Sequence, residues 1–92
     1  MEVTVSMDKL DEYVLDDNHK MHAPKHFFEE AMLEISRTIF LTLAKYCLES
    51  EINVLPGRRF HDLLDKCGVD FDRQTIKGIL ELQSKGYLKV EI

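Results

Sequence analysis

The chain has 92 residues, 45% of them hydrophobic, which is one domain's worth of core and too little for a second, and that composition argues against disorder throughout. The formal net charge of −5 argues against a uniformly basic nucleic-acid binder. The charge is uneven, however. Residues 1–56 hold 5 Lys/Arg against 11 Asp/Glu, and residues 57–92 hold 7 against 6, so only the second segment can face phosphates without strong repulsion.

Glu2 to Ser6 (EVTVS) alternates and is rich in β-branched residues, so it reads as a short strand. Met7 to His26 is irregular. It carries the acidic group Asp8, Asp11, Glu12, Asp16 and Asp17, followed by His19, His22, Pro24 and His26. A loop or helical turn is expected around Lys9 to Val14, then an arm leading into the first long helix. Residues 1–26 are thus a strand plus an acidic, His-containing arm, and residues 27–92 form the core of a single domain.

A helix is predicted from His26 or Phe27 to Glu49. Phe28, Met32, Ile35, Ile39, Leu43 and Tyr46 recur at steps of three and four, and Leu33, Phe40, Ala44 and Cys47 form a second row. Such a helix is apolar around more than half its circumference and must be covered on two sides. The second cover is either the N-terminal arm or another copy of the chain. In the latter case Phe28, Met32, Ile35 and Ile39 are the expected homodimer interface.

Ile52 to Leu55 (INVL), ending at Pro56-Gly57, reads as a short strand and a turn. Arg58 or Arg59 to Cys67 is a second helix with Phe60, Leu63, Leu64 and Cys67 on one face. Gly68 follows it where a left-handed cap residue is wanted, and Asp70 or Asp72 can cap the next helix. That helix runs from about Arg73 to Lys85, with Ile76, Ile79, Leu80 and Leu82 expected to face inward. After Gly86, Tyr87 to Ile92 alternates as a terminal strand, expected to pair with Ile52–Leu55 and with Glu2–Ser6. The fold class is α+β, mainly helical with a small two- or three-stranded antiparallel sheet.

The stretch from Phe60 to Ile92 resembles the winged helix-turn-helix superfamily of bacterial and archaeal regulators. The likeness is carried by Phe60, Leu63, Leu64, Gly68, Val69, Thr75, Ile76, Ile79, Leu80, Leu82, Gly86, Tyr87 and Leu88. It covers the last third of the chain strictly, and two-thirds when the long helix and the INVL strand count as the usual first helix and strand. It implies a winged-helix-type fold and a DNA-binding transcriptional regulator, with the third helix in the major groove of double-stranded DNA. Two helices at a steep angle leave the second one protruding, so its first side chains reach base edges. Here those are Arg73, Gln74 and Thr75, with Arg58, Arg59, Lys77 and Lys85 available for phosphates. The chain departs from the DNA-binding pattern in having one strand after that helix and no basic wing tip. Asp70, Asp72 and Glu81 also lie close to the basic residues in sequence. The alternative is a protein-interaction module, such as an inhibitor or accessory subunit, acting through the acidic N-terminal half without nucleic acid. Charge placement discriminates the two: interleaved acids favour a protein partner.

Other chemistry is sparse. His19, His22 and His26 have imidazoles that suit zinc or nickel, but Pro24 breaks any common face and no nearby Cys completes a set, so no metal or cofactor is expected. Cys47 and Cys67 read as small hydrophobes in a reducing cytoplasm. No Gly-rich phosphate loop, Gly-x-Ser-x-Gly or CxxC pair is present, and a Cys–His61 pair would need a thiol off the apolar faces, so a binding protein is expected rather than an enzyme. The N-terminus has no signal-peptide pattern, and the Thr38–Leu48 apolar stretch is too short to span a bilayer. A cytoplasmic location without membrane contact is the expectation.

Overall fold

A computed structural model describes residues 1–92. The chain is α+β, as the patterning implies. Its elements are β1 (Glu2–Val5), α1 (Met7–Leu10), β2 (Val14–Leu15), β3 (Met21–His22) and α2 (Lys25–Glu29), then α3 (Glu34–Ser50), β4 (Val54–Pro56), α4 (Gly57–Lys66), α5 (Arg73–Ser84) and β5 (Leu88–Glu91).

The sheet order is β4-β1-β5, all antiparallel. The N-terminal strand therefore lies at the centre, and β5 pairs with it and not with β4, contrary to the expected pairing with the INVL segment. Val3 and Val5 explain this. Both are fully buried, so their face must be roofed by the helices, and only a strand with a neighbour on each edge satisfies all of its backbone groups there. Ser6 caps α1 by accepting the Lys9 N–H, and Asp16 nucleates the turn between β2 and β3 by accepting the Asn18 and Lys20 N–H groups. This β2–β3 hairpin lies within the stretch read as an irregular arm.

The predicted long helix is two helices. Glu30 and Leu33 are both extended, which separates α2 from α3. Polar cross-links hold the break. The Arg37 guanidinium donates to the carbonyls of Phe27 and Glu30, satisfying the end of α2. The Glu30 carboxylate accepts from the Tyr87 hydroxyl. The Leu33 N–H donates to Glu81 Oε1 at 2.8 Å. The apolar row Phe28, Met32, Ile35 and Ile39 runs straight through the break, so periodicity alone does not reveal it.

The core lies between α3 and the sheet. Ile39, Phe40, Leu43, Ala44 and Cys47 of α3 are buried with Val3, Val5, Leu55, Phe60, Leu64 and Leu82. The second side of α3 is covered by the chain's own N-terminal region. Tyr13 packs edge-on against Phe27 and Phe40, with ring centroids at 5.8 and 5.5 Å. Ile39 is therefore a core residue of one chain and not a dimer contact. Met32 and Ile35 are half-buried against the same core, and only Phe28 of that expected interface projects into solvent. Gly68 and Gly86 take the positive φ values, 76° and 80°, that ending a helix this way requires. No helix is long and apolar enough to cross a membrane.

Candidate functional site

α4 and α5 are joined by the turn from Cys67 to Asp72. Asp72 caps α5 by accepting the Thr75 N–H at 3.0 Å, and Thr75 donates its own hydroxyl to the Asp70 carbonyl. Thr75 is consequently 1% exposed and cannot read a base; this corrects its expected role. Lys85 is also not a free cation. Its ammonium lies 3.5 Å from Glu30, turned toward α2 and away from the outer face of α5. Arg58, Arg59, Arg73, Gln74 and Lys77 are exposed, and none of these cations is in an ion pair. Arg58 and Arg59 line a cleft of about 560 Å³ with Tyr46, Ile52, Pro56 and Asp62, and the Arg59 guanidinium lies over the Tyr46 ring at 5.6 Å.

Two of the three acids close to these cations in sequence are engaged. Asp72 caps α5, and Glu81 Oε1 accepts from Leu33 N–H and, at 2.6 Å, from Ser36 Oγ. Those two hydrogen bonds hold the Glu81 carboxyl below the usual carboxylate range. Asp70 stays exposed next to Arg73.

The main surprise is on α5 itself. Ile76 and Leu80, expected inward, are 44% and 57% exposed. The inward face is instead Thr75, Gly78, Ile79 and Leu82. Gly78 is the cause. A Cβ there would lie 2.9 Å from Ile35 Cγ2, so α5 approaches α3 through its least bulky face, and the Ser36 hydroxyl donates to the Gly78 carbonyl at 3.2 Å. The bulky row Ile76–Leu80 is turned out. With Phe71, which is 48% exposed, and with Ile79, Val90 and Ile92, it lines a groove of about 280 Å³ between α5 and β5. Gln83 lines the same groove, and its side-chain oxygen accepts the Val90 N–H at 2.9 Å. Phe71 is held by the His61 ring stacked on it at 6.0 Å.

The histidines of the arm separate. His22 meets Asp16 at 2.9 Å and His26 meets Glu12 at 3.0 Å, while His19 stands alone in the turn with φ 59°. Asp16 is held below its usual range, chiefly by its hydrogen bond with His22. The one group of metal-ligating atoms that come close together is His61, Asp62 and Asp65, all exposed on α4. Cys47 is a buried thiol whose burial pushes its pKa up to about 11, and Cys67 donates to the Leu64 carbonyl at 3.3 Å; neither is in a disulfide.

A scan against protein-family models finds no match, and comparisons with curated proteins and with solved structures find none either.

Proposed function

We propose that this chain is a winged-helix-type binding module whose docking surface is the apolar groove between α5 and β5, and that it binds protein. The observation carrying this reading is the outward row of Ile76 and Leu80 on the helix that would otherwise be presented to DNA. Apolar side chains gathered along one groove mark an interface, whereas scattered ones are ordinary. A major groove offers such a row little beyond thymine methyl groups. Charge placement points the same way, because Lys85 leaves the basic set, Thr75 is buried, and Asp70 and Asp72 immediately precede Arg73 in the chain. The acidic arm of residues 7–26 folds back on α3 through Tyr13 and contributes solubility rather than the docking face.

Photo-cross-linking from position 80 in cells producing the protein tests this, with position 45 as a polar control. The reading expects a discrete adduct from position 80, absent from position 45 and lost on Ile76→Ser. Equal labelling from both positions, or none, contradicts it.

A second reading is favoured by one observation: Arg58, Arg59, Arg73 and Lys77 are exposed and in no ion pair, as phosphate contacts need to be. Binding to a fluorescent random duplex across a salt series decides this. Affinity that falls steeply with salt in the wild type, with a shallower slope in Arg73→Ala/Lys77→Ala, supports DNA binding by α5; no binding at low salt removes it.

A further inference from the structure

We propose that the occupant of the α5–β5 groove is a second copy of this chain, joined through the open edge of β5. The proposal rests on the docking reading above and names its partner.

β5 has one neighbour, β1. Ser6 N–H donates to the Tyr87 carbonyl at 2.9 Å, so by alternation Lys89 and Glu91 also turn their backbone groups toward β1. Leu88 and Val90 turn theirs outward to the open edge. The side chains alternate as well: Leu88 is buried and Val90 half-buried on the groove side, while Lys89 and Glu91 are exposed on the other face.

This strand complements its own reverse. An antiparallel pair of β5 strands centred on Val90 sets Val90 against Val90, Leu88 against Ile92, and Lys89 against Glu91 at two symmetric places. Apolar meets apolar on the groove face, and opposite charges meet on the other. Neighbouring registers fail. Centring on Lys89 or on Glu91 puts like charges opposite each other. A one-residue slip sets charged side chains against apolar ones on the wrong face. A parallel pair puts Lys89 against Lys89. The favoured arrangement is an isologous twofold contact that merges two three-stranded sheets into one of six strands. It brings Phe71, Ile76, Leu80 and Ile92 of the two copies together across the axis. The Gln83 carboxamide leaves the Val90 N–H as the strands meet, and being exposed it swings aside with one hydrogen bond replacing another.

The contact is small, under about 1,200 Å², so self-association belongs in the weak range and should be followed up to about 1 mM. Sedimentation equilibrium is compared for wild type, Lys89→Glu, Glu91→Lys and the double swap. The expected result is a wild-type dimer, roughly tenfold weaker association in each single variant, and recovery in Lys89→Glu/Glu91→Lys. Both side chains are exposed, so the swaps leave the core untouched; the thermal midpoint of each variant verifies this. A wild type that stays monomeric across the range overturns the proposal, and so does a dimer indifferent to the swaps. The mass of the adduct from position 80 separates this failure from that of the docking reading. An adduct of two chains agrees with the dimer. A heavier partner with a monomeric wild type removes the second copy and leaves the docking groove. No adduct removes both.

Discussion

Glu81 ties α5 to the start of α3 through one carboxylate oxygen, accepting from the Leu33 N–H and the Ser36 hydroxyl. Its pKa is lowered from 4.5 because those donors favour the charged form. A carboxyl with a depressed folded-state pKa contributes stability above its unfolded value and loses it as pH falls through the folded value. Glu30 has the same sign, its carboxylate being held down first by the Tyr87 hydroxyl. Stability should therefore decline as pH drops below about 4.5, and Glu81→Gln should decline less over that window. Thermal melts between neutral pH and pH 3 check this; parallel curves for the two proteins would contradict it. Arg37 is the second residue of this kind. Its guanidinium serves two carbonyls at the end of α2, so Arg37→Ala should cost about 2–3 kcal/mol in urea unfolding. Arg37→Lys should recover only part of that, because an ammonium lacks the planar fork that spans both acceptors. At this scale the sequence was partly readable. A cap at Asp70 or Asp72 and a left-handed Gly68 follow from type and position alone, and the structure selects Asp72 as the cap. Residue type alone does not place Thr75, because Thr at a helix start suits both a cap and a base contact. The row Thr75, Ile79, Leu82, at steps of four and three, was the signal that it faces inward.

Helices α3 and α5 show why element-level reading can locate a helix and still misjudge its rotation. α5 carries two apolar rows, and periodicity alone cannot rank Ile76–Leu80 against Ile79–Leu82. Packing ranks them: Gly78 permits close approach to Ile35 and Ser36, so the small face turns inward and the bulky row is left outside. Gly78→Ala is then a direct test. Its gain in helix propensity is about 1 kcal/mol, and the clash at 2.9 Å with Ile35 is larger, so a net destabilisation of about 1–2 kcal/mol is expected. An unchanged or raised midpoint would mean that α5 can rotate or shift, and the exposure of Ile76 and Leu80 would then not follow. Ile76→Ser and Leu80→Ser, by contrast, should leave the thermal midpoint nearly unchanged, because both side chains lie half in solvent. The break between α2 and α3 was hidden for a related reason. Glu30, Met32 and Leu33 are acceptable helix residues, and what holds the helices apart is Arg37 of α3 reaching back to the end of α2, with Glu81 and Tyr87 reaching in from elsewhere.

Over the whole molecule, the first few residues complete the fold begun by the last third. β1 enters between β4 and β5, so neither of those strands is paired without it. The alternation of EVTVS showed that a strand exists, but its central place depends on long-range pairing that no local pattern encodes. The N-terminal region then covers α3 through Tyr13 and Phe27, which removes the need for a second copy on that helix. What stays uncovered is the opposite feature, the groove of Ile76, Leu80, Val90 and Ile92 beside an open strand edge. The candidate site was thus half legible: its basic residues were visible by type, and its apolar floor was not, because the same side chains were assigned to the core.

Amide shifts in a two-dimensional NMR dilution series, followed by addition of duplex DNA at moderate salt, distinguish a protein-docking α5 from a DNA-reading one. Dilution alone should move the amides of Ile76, Leu80, Val90 and Ile92, and the duplex should leave the amides of Arg58, Arg59, Arg73 and Lys77 in place. Shifts confined to those four basic positions on adding duplex, with spectra that do not change on dilution, would rule out the docking groove and assign α5 to DNA.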